Sequence, residues 1–250
     1  HYMLGIIYTR RKEYEKALYI SEECIRLAEK IKSFRFFAWA LSNKGKALWG
    51  LHKYDDALEC FQTNLSSGQK NGDRVIIASA SLDIGWIYYE KGDMEKAYEF
   101  FREGVENYRS VGNKISAVTG EYYMALVLEE TGDLSKAIDL YYKVMEKAGT
   151  LCFKNVEINA KLKIIKYRLK TETTYPKIQE ILELKNLIPK NFTGELIEVN
   201  LILAEIYSKT HDHQEKEEVL AEALNISEEN SHVYGFIKTC HIINKISNRS

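Results

Sequence analysis

The chain has 250 residues, and its 35 Lys plus Arg nearly balance its 36 Asp plus Glu. A formal net charge of −1 excludes a general electrostatic pull on nucleic acid or anionic lipid. The apolar residues (45%) never run together for the length of a membrane span, and two prolines against many Lys, Glu, Leu, Ile and Ala favour helix throughout.

From its first residues the chain repeats at a spacing of 40. Gly5, Gly45, Gly85 and Ala125 share one register, and Ala17, Ala57, Ala97 and Ala137 share a second. A small residue at a fixed point of every period marks a place where two helices touch closely. Residues 1–31 carry Leu4-Gly5-x-x-Tyr8 and then Tyr14-x-x-Ala17. Residues 32–72 carry Lys44-Gly45-x-x-Leu48, then Tyr54-x-x-Ala57 and Phe61. Residues 73–112 carry Ile84-Gly85-x-x-Tyr88, Gly92-Asp93-Met94, Ala97 and Phe101. Residues 113–150 carry Met124-Ala125-x-x-Leu128, Gly132-Asp133-Leu134, Ala137 and Tyr141. In the last two units glycine stops the first helix with a left-handed residue, and aspartate caps the second.

The pattern fades after residue 150. Residues 151–190 hold a helix over Asn155–Lys170, a proline-initiated start at Thr174-Tyr175-Pro176, and a short helix around Ile178–Leu184 that Pro189 ends. Residues 191–230 hold a helix with Ala204 and Tyr207, then a partner helix over about Gln214–Glu229. Residues 231–248 read as one closing helix. Gly5 falls early in its unit, so the first helix is expected to be under way at His1, with further sequence before it.

The order of large apolar, small, aromatic or Leu, Gly-Asp turn, Ala and aromatic resembles the tetratricopeptide repeat. That resemblance implies an all-α, right-handed superhelical solenoid of helical hairpins with a C-terminal closing helix. The usual period is about 34 residues; the extra length here is expected in longer helices. The long period and the Lys/Ile/Tyr-rich composition further resemble the sensor domains of Gram-positive peptide-pheromone regulators of the Rap, PlcR and NprR type.

Resemblance to the family places the first helix of each hairpin along the concave side. Its exposed face would carry Trp39, Asn43, Lys46 and Trp49 in the second unit and Asp83, Trp86 and Tyr89 in the third. The fourth would add Tyr122, Leu126 and Glu129. Trp and Tyr give large contact area at low rotamer cost. An asparagine amide pairs with a peptide backbone, and the carboxylates suit a basic ligand side chain. A tryptophan at these positions either lines the groove or fills the gap between hairpins. Asn43 sits where the carboxylate-clamp subgroup keeps an asparagine, but Tyr2 and Ile6 stand where that subgroup needs lysine and asparagine, so a chaperone-tail ligand is not expected.

The expected function is binding of a short extended peptide, as in a quorum-sensing regulator, with a passive interaction scaffold as the alternative. No catalysis and no cofactor are expected: the chain has no Gly-x-Gly-x-x-Gly or Gly-Lys-Ser/Thr loop and no Gly-x-Ser-x-Gly elbow. His211-x-His213 beside Asp212 lacks a third ligand for a metal. Partners are expected to be a peptide or a protein segment and, in a homodimer, a second copy. Direct binding of nucleic acid or membrane is not expected. The four cysteines form no Cys-x-x-Cys pair and read as free thiols, and a cytoplasmic location is expected.

Overall fold

The computed structural model describes residues 2–171, 178–230, 235, 237, 239 and 240. The proline-initiated start at Thr174-Tyr175-Pro176 and most of the closing helix over 231–248 lie outside these residues. Among the described residues the regular structure is entirely helical. The first hairpins are α1 (Tyr2–Arg10) with α2 (Tyr14–Lys30), α3 (Phe34–Gly50) with α4 (Tyr54–Asn71), and α5 (Arg74–Glu90) with α6 (Met94–Ser110). They are followed by α7 (Lys114–Glu130), α8 (Leu134–Thr150), α9 (Lys154–Thr171), α10 (Ile178–Leu187), α11 (Thr193–Thr210) and α12 (His213–Glu229). The extra length of the repeat does go into the helices, most of which run 17 or 18 residues.

The chain divides into two compact units, residues 1–140 and 141–250. In the first unit α3 packs on its partner α4, on both helices of the preceding hairpin, α1 and α2, and on α5, while α5 packs on α4 and α6. That position buries α3 and α5 on several sides, whereas α4 and α6 keep one wet face. In the second unit Leu162, Ile181, Leu203 and Ile206 anchor a core drawn from α9 to α12.

Both small-residue registers mark close contacts. Ala17, Ala57 and Ala97 are fully buried, and Ala137 is nearly so. A Cβ on Gly45 would stand 2.4 Å from the Phe61 ring, and one on Gly85 would stand 2.6 Å from the Phe101 ring. Each glycine therefore admits the aromatic ring of its own hairpin. The first hairpin solves the same problem differently. Ser21 replaces the aromatic, and a Cβ on Gly5 would meet Asn43 Nδ2 at 3.2 Å.

The connectors repeat at half the period. Lys12, Lys32, His52, Gly72, Gly92, Gly112, Gly132 and Cys152 all have positive φ, one at each turn from α1 to α9. In the Gly92 turn the amides of Gly92 and Asp93 donate back to the carbonyls of Tyr89 and Tyr88, which satisfies the end of α5. Asp93 then caps α6 by accepting from the Lys96 amide, and Asp133 accepts from the Lys136 amide in the same way.

Candidate peptide-binding groove

Three odd-numbered helices of the first unit position the candidate residues. Trp39, Asn43, Lys46 and Trp49 lie on successive turns of α3; Asp83, Trp86 and Tyr89 do so on α5; Tyr122, Leu126 and Glu129 do so on α7. Two cavities open along these faces. The first, of about 420 Å³, lies among α1, α3, α4, α5 and α6, with Tyr2, Trp39, Asn43, Asn64 and Tyr108 in its wall. The second, of about 440 Å³, is lined by Trp49, Phe61, Asp83, Trp86 and Tyr123. Lys46 and Thr9 belong to both, so the two adjoin. Volumes of this size lie within the range of small-ligand pockets.

The three tryptophans do not share one environment. Trp39 and Trp49 are exposed at 38% and 36%. Trp39 packs against Tyr2 and Phe36, with ring centroids 5.5 Å from each. Trp86 is half-buried, and its ring lies 5.8 Å from Phe101 and 4.7 Å from Tyr123. Trp86 thus joins the core between the third and fourth hairpins while one part of it lines the second cavity. A wholly ligand-facing role for this residue does not hold.

The polar candidates mostly meet one another. Asn43 is buried, and its amide donates to the Tyr2 carbonyl at 3.4 Å. Lys46 Nζ stands 3.4 Å from Asp83 Oδ2, and Ser42 donates to the same oxygen at 3.1 Å. Burial pushes the Asp83 carboxyl above its ordinary range, and the Lys46 charge with the Ser42 hydrogen bond pulls it only part of the way back. The Asp83 charge in turn raises the Lys46 ammonium, against its own desolvation. Tyr89 is pushed up to about 12 by burial and by the Glu130 and Glu129 carboxylates. Tyr122, Leu126 and Glu129 are all half-buried on α7.

Sequence reasoning missed several lining residues, among them Thr9, Arg10, Ser42, Tyr108, Tyr123 and Asn64. Tyr123 stands one period after Asp83 and two after Asn43, a register that could have marked it. Asn64 lies on a second helix, where the family resemblance directs no attention. Among the described residues no group of three or more His, Cys, Asp and Glu side chains is arranged to hold a metal, and no helix is long and apolar enough to cross a membrane. His211 and His213 are exposed.

The family model of the tetratricopeptide repeat matches residues 36–110, the stretch that carries Trp39 through Tyr89. Residues 36–110 carry the tetratricopeptide-repeat pattern. It is 25% identical over 175 residues to the 43 kDa receptor-associated protein of the synapse of Tetronarce californica, across 69% of this chain and 41% of that protein. The chain therefore spans about two fifths of that relative's length. Among solved structures it resembles RapI in its apo form, with a TM-score of 0.69 at 12% identity over 92% of this chain and 83% of that one. It also resembles the Rap conjugation gene regulator of the plasmid pLS20, solved in complex with the Phr* peptide. There the TM-score is 0.69 at 18% identity, over 93% of this chain and 62% of that one. At these identities the likeness is one of fold, and it places the repeats of this chain among superposable helical hairpins.

Proposed function

We propose that the first unit holds an extended peptide, or an extended segment of a partner protein, along the faces of α3, α5 and α7. The observation that carries this reading is the pair of cavities adjoining at Lys46, with the exposed indoles of Trp39 and Trp49 in their walls. Exposed rings beside a concave, partly polar surface are the usual anchors of a binding site. Asn43, Lys46, Asp83, Tyr89, Tyr122, Leu126 and Glu129 complete the proposed contact set. In a regulatory sensor the peptide would favour one of two arrangements of the hairpins, and a fused effector would read that shift. The complex of the pLS20 regulator with its peptide, on the same fold, supports the sensor form of the proposal.

Selection from phage-displayed random octapeptides tests the proposal. Enriched peptides should bind wild type and lose binding in Trp39→Ala and Trp49→Ala. Failure to enrich any peptide would remove the reading.

A scaffold role is the second reading. It is favoured by the exposed Tyr19 and Leu27 of α2 and Ile31 just past its end, at 61%, 43% and 64%. Concentration-dependent self-association, abolished by Tyr19→Ser with Ile31→Ser, would support it.

A further inference from the structure

Lys46 is the charged residue that the two adjoining cavities share, and it divides their charge. Among the described residues of the first cavity, Arg10 and Lys46 carry the only formal charges, both positive. Among those of the second, Lys46 and Asp83 carry the only ones, with Trp49 and Trp86 in the same wall. Arg10 is exposed and pairs with no described carboxylate. The Lys46 ammonium stands 3.4 Å from Asp83 Oδ2, longer than the about 2.7–2.9 Å of a tight charge-assisted contact. Its side chain is 41% exposed and hangs on a flexible four-carbon stem, so its head can move from one cavity toward the other. The Asp83 side chain keeps 15% exposure, and it lines the second cavity.

A carboxylate entering the first cavity therefore meets two cations and no anion. By drawing Lys46 toward itself it loosens the hold on Asp83. A shielded carboxylate that loses its cation is unfavourable unless another cation replaces it. A ligand ammonium or guanidinium in the second cavity is such a cation, held between Asp83 and the indole faces. Alone, that ligand cation would be opposed by Lys46. Each ligand charge thus makes room for the other.

We propose that Lys46 exchanges partners on binding, so that the groove selects a peptide with an acidic side chain for the first cavity and a basic side chain for the second. The proposal rests on the peptide-binding reading above and adds the charge pattern that the peptide must present.

The test is a charge cycle on the display-selected octapeptides. Enriched sequences should hold an Asp or Glu and a Lys or Arg at one recurring spacing. Calorimetric titration then compares each peptide with forms carrying Gln in place of the acid, of the base, and of both. Each single replacement should weaken binding by about tenfold or more, and the double replacement by clearly less than the product of the two. In Lys46→Met this coupling should vanish while the basic residue still contributes, because Asp83 then meets it directly. Losses that multiply in wild type, or coupling that survives in Lys46→Met, would overturn the proposal. Should Lys46→Met fail to fold, Arg10→Gln, at an exposed site, decides: it should weaken the acid-bearing forms and spare the forms without the acid, and equal effects on both would overturn the proposal. Enriched peptides without the charge pair would refute the exchange and leave the groove standing. Failure to enrich any peptide would refute the groove and the exchange with it.

Discussion

Lys46 Nζ lies 3.4 Å from Asp83 Oδ2 and so ties the first helix of the second hairpin to the first helix of the third. The Asp83 side chain is 15% exposed and the Lys46 side chain 41%, so the carboxylate depends more on the contact than the ammonium does. Lys46→Met leaves a shielded carboxylate that still accepts from the Ser42 hydroxyl, and should cost about 1–3 kcal/mol at neutral pH. The Asp83 carboxyl, already raised by burial, rises further once the lysine is gone. Its protonated form is the one the fold accepts, so the loss relative to wild type should shrink as pH falls through the carboxyl's raised range. Urea unfolding of both proteins at neutral and mildly acidic pH reads this. A deficit that grows on acidification would contradict it.

Gly45 and Gly85 should tolerate no methyl group. With the rings of Phe61 and Phe101 at 2.4 and 2.6 Å from the added Cβ, Gly45→Ala and Gly85→Ala should each cost about 1–3 kcal/mol. Gly5→Ala meets only Asn43 at 3.2 Å and Ser21 at 3.6 Å, so its cost should be the smallest of the three. Thermal unfolding gives the ranking. Phe101→Leu added to Gly85→Ala should recover part of the loss.

The turn residues give a prediction of opposite sign. Cys152 is exposed and holds φ at 54°, where the neighbouring turn has Gly132 at 82°. A side chain pays about 1 kcal/mol for that conformation. Cys152→Gly should therefore stabilise the second unit by about that amount, and Gly132→Ala should lose a similar amount. Equal stability of both variants and wild type would remove the argument.

The tryptophans should separate by function. Trp39→Ala should leave the melting temperature nearly unchanged and weaken binding of a display-selected peptide by about tenfold or more. Trp86→Ala removes a ring packed on Phe101 and Tyr123 and should cost about 2–4 kcal/mol of stability. Identical profiles for the two variants would contradict the division of roles.

The hairpins were legible because packing repeats them. Gly45 and Gly85 meet Phe61 and Phe101 within their own hairpins, so one steric rule writes the same residues into each period. The Gly-Asp turns were legible for a similar local reason. Lys12, Lys32, His52 and Cys152 adopt the same turn without glycine, and nothing in their side chains announces a positive φ. The groove was legible only as a helix face. Register places Lys46 and Asp83 on neighbouring helices but does not say that they pair with each other instead of waiting for a ligand. It places Trp86 on the groove side but not against Tyr123, because that contact depends on how the next hairpin leans.

The most direct measurement is a titration of intrinsic tryptophan emission with a display-selected octapeptide. All three tryptophans of the chain line the two adjoining cavities, and the exposed Trp39 and Trp49 make the signal sensitive to a ligand in the groove. The account predicts a saturable change in emission whose midpoint shifts by about tenfold or more in Trp39→Ala. Binding that leaves the emission of wild type unchanged, with unaltered affinity in Trp39→Ala and Trp49→Ala, would contradict it.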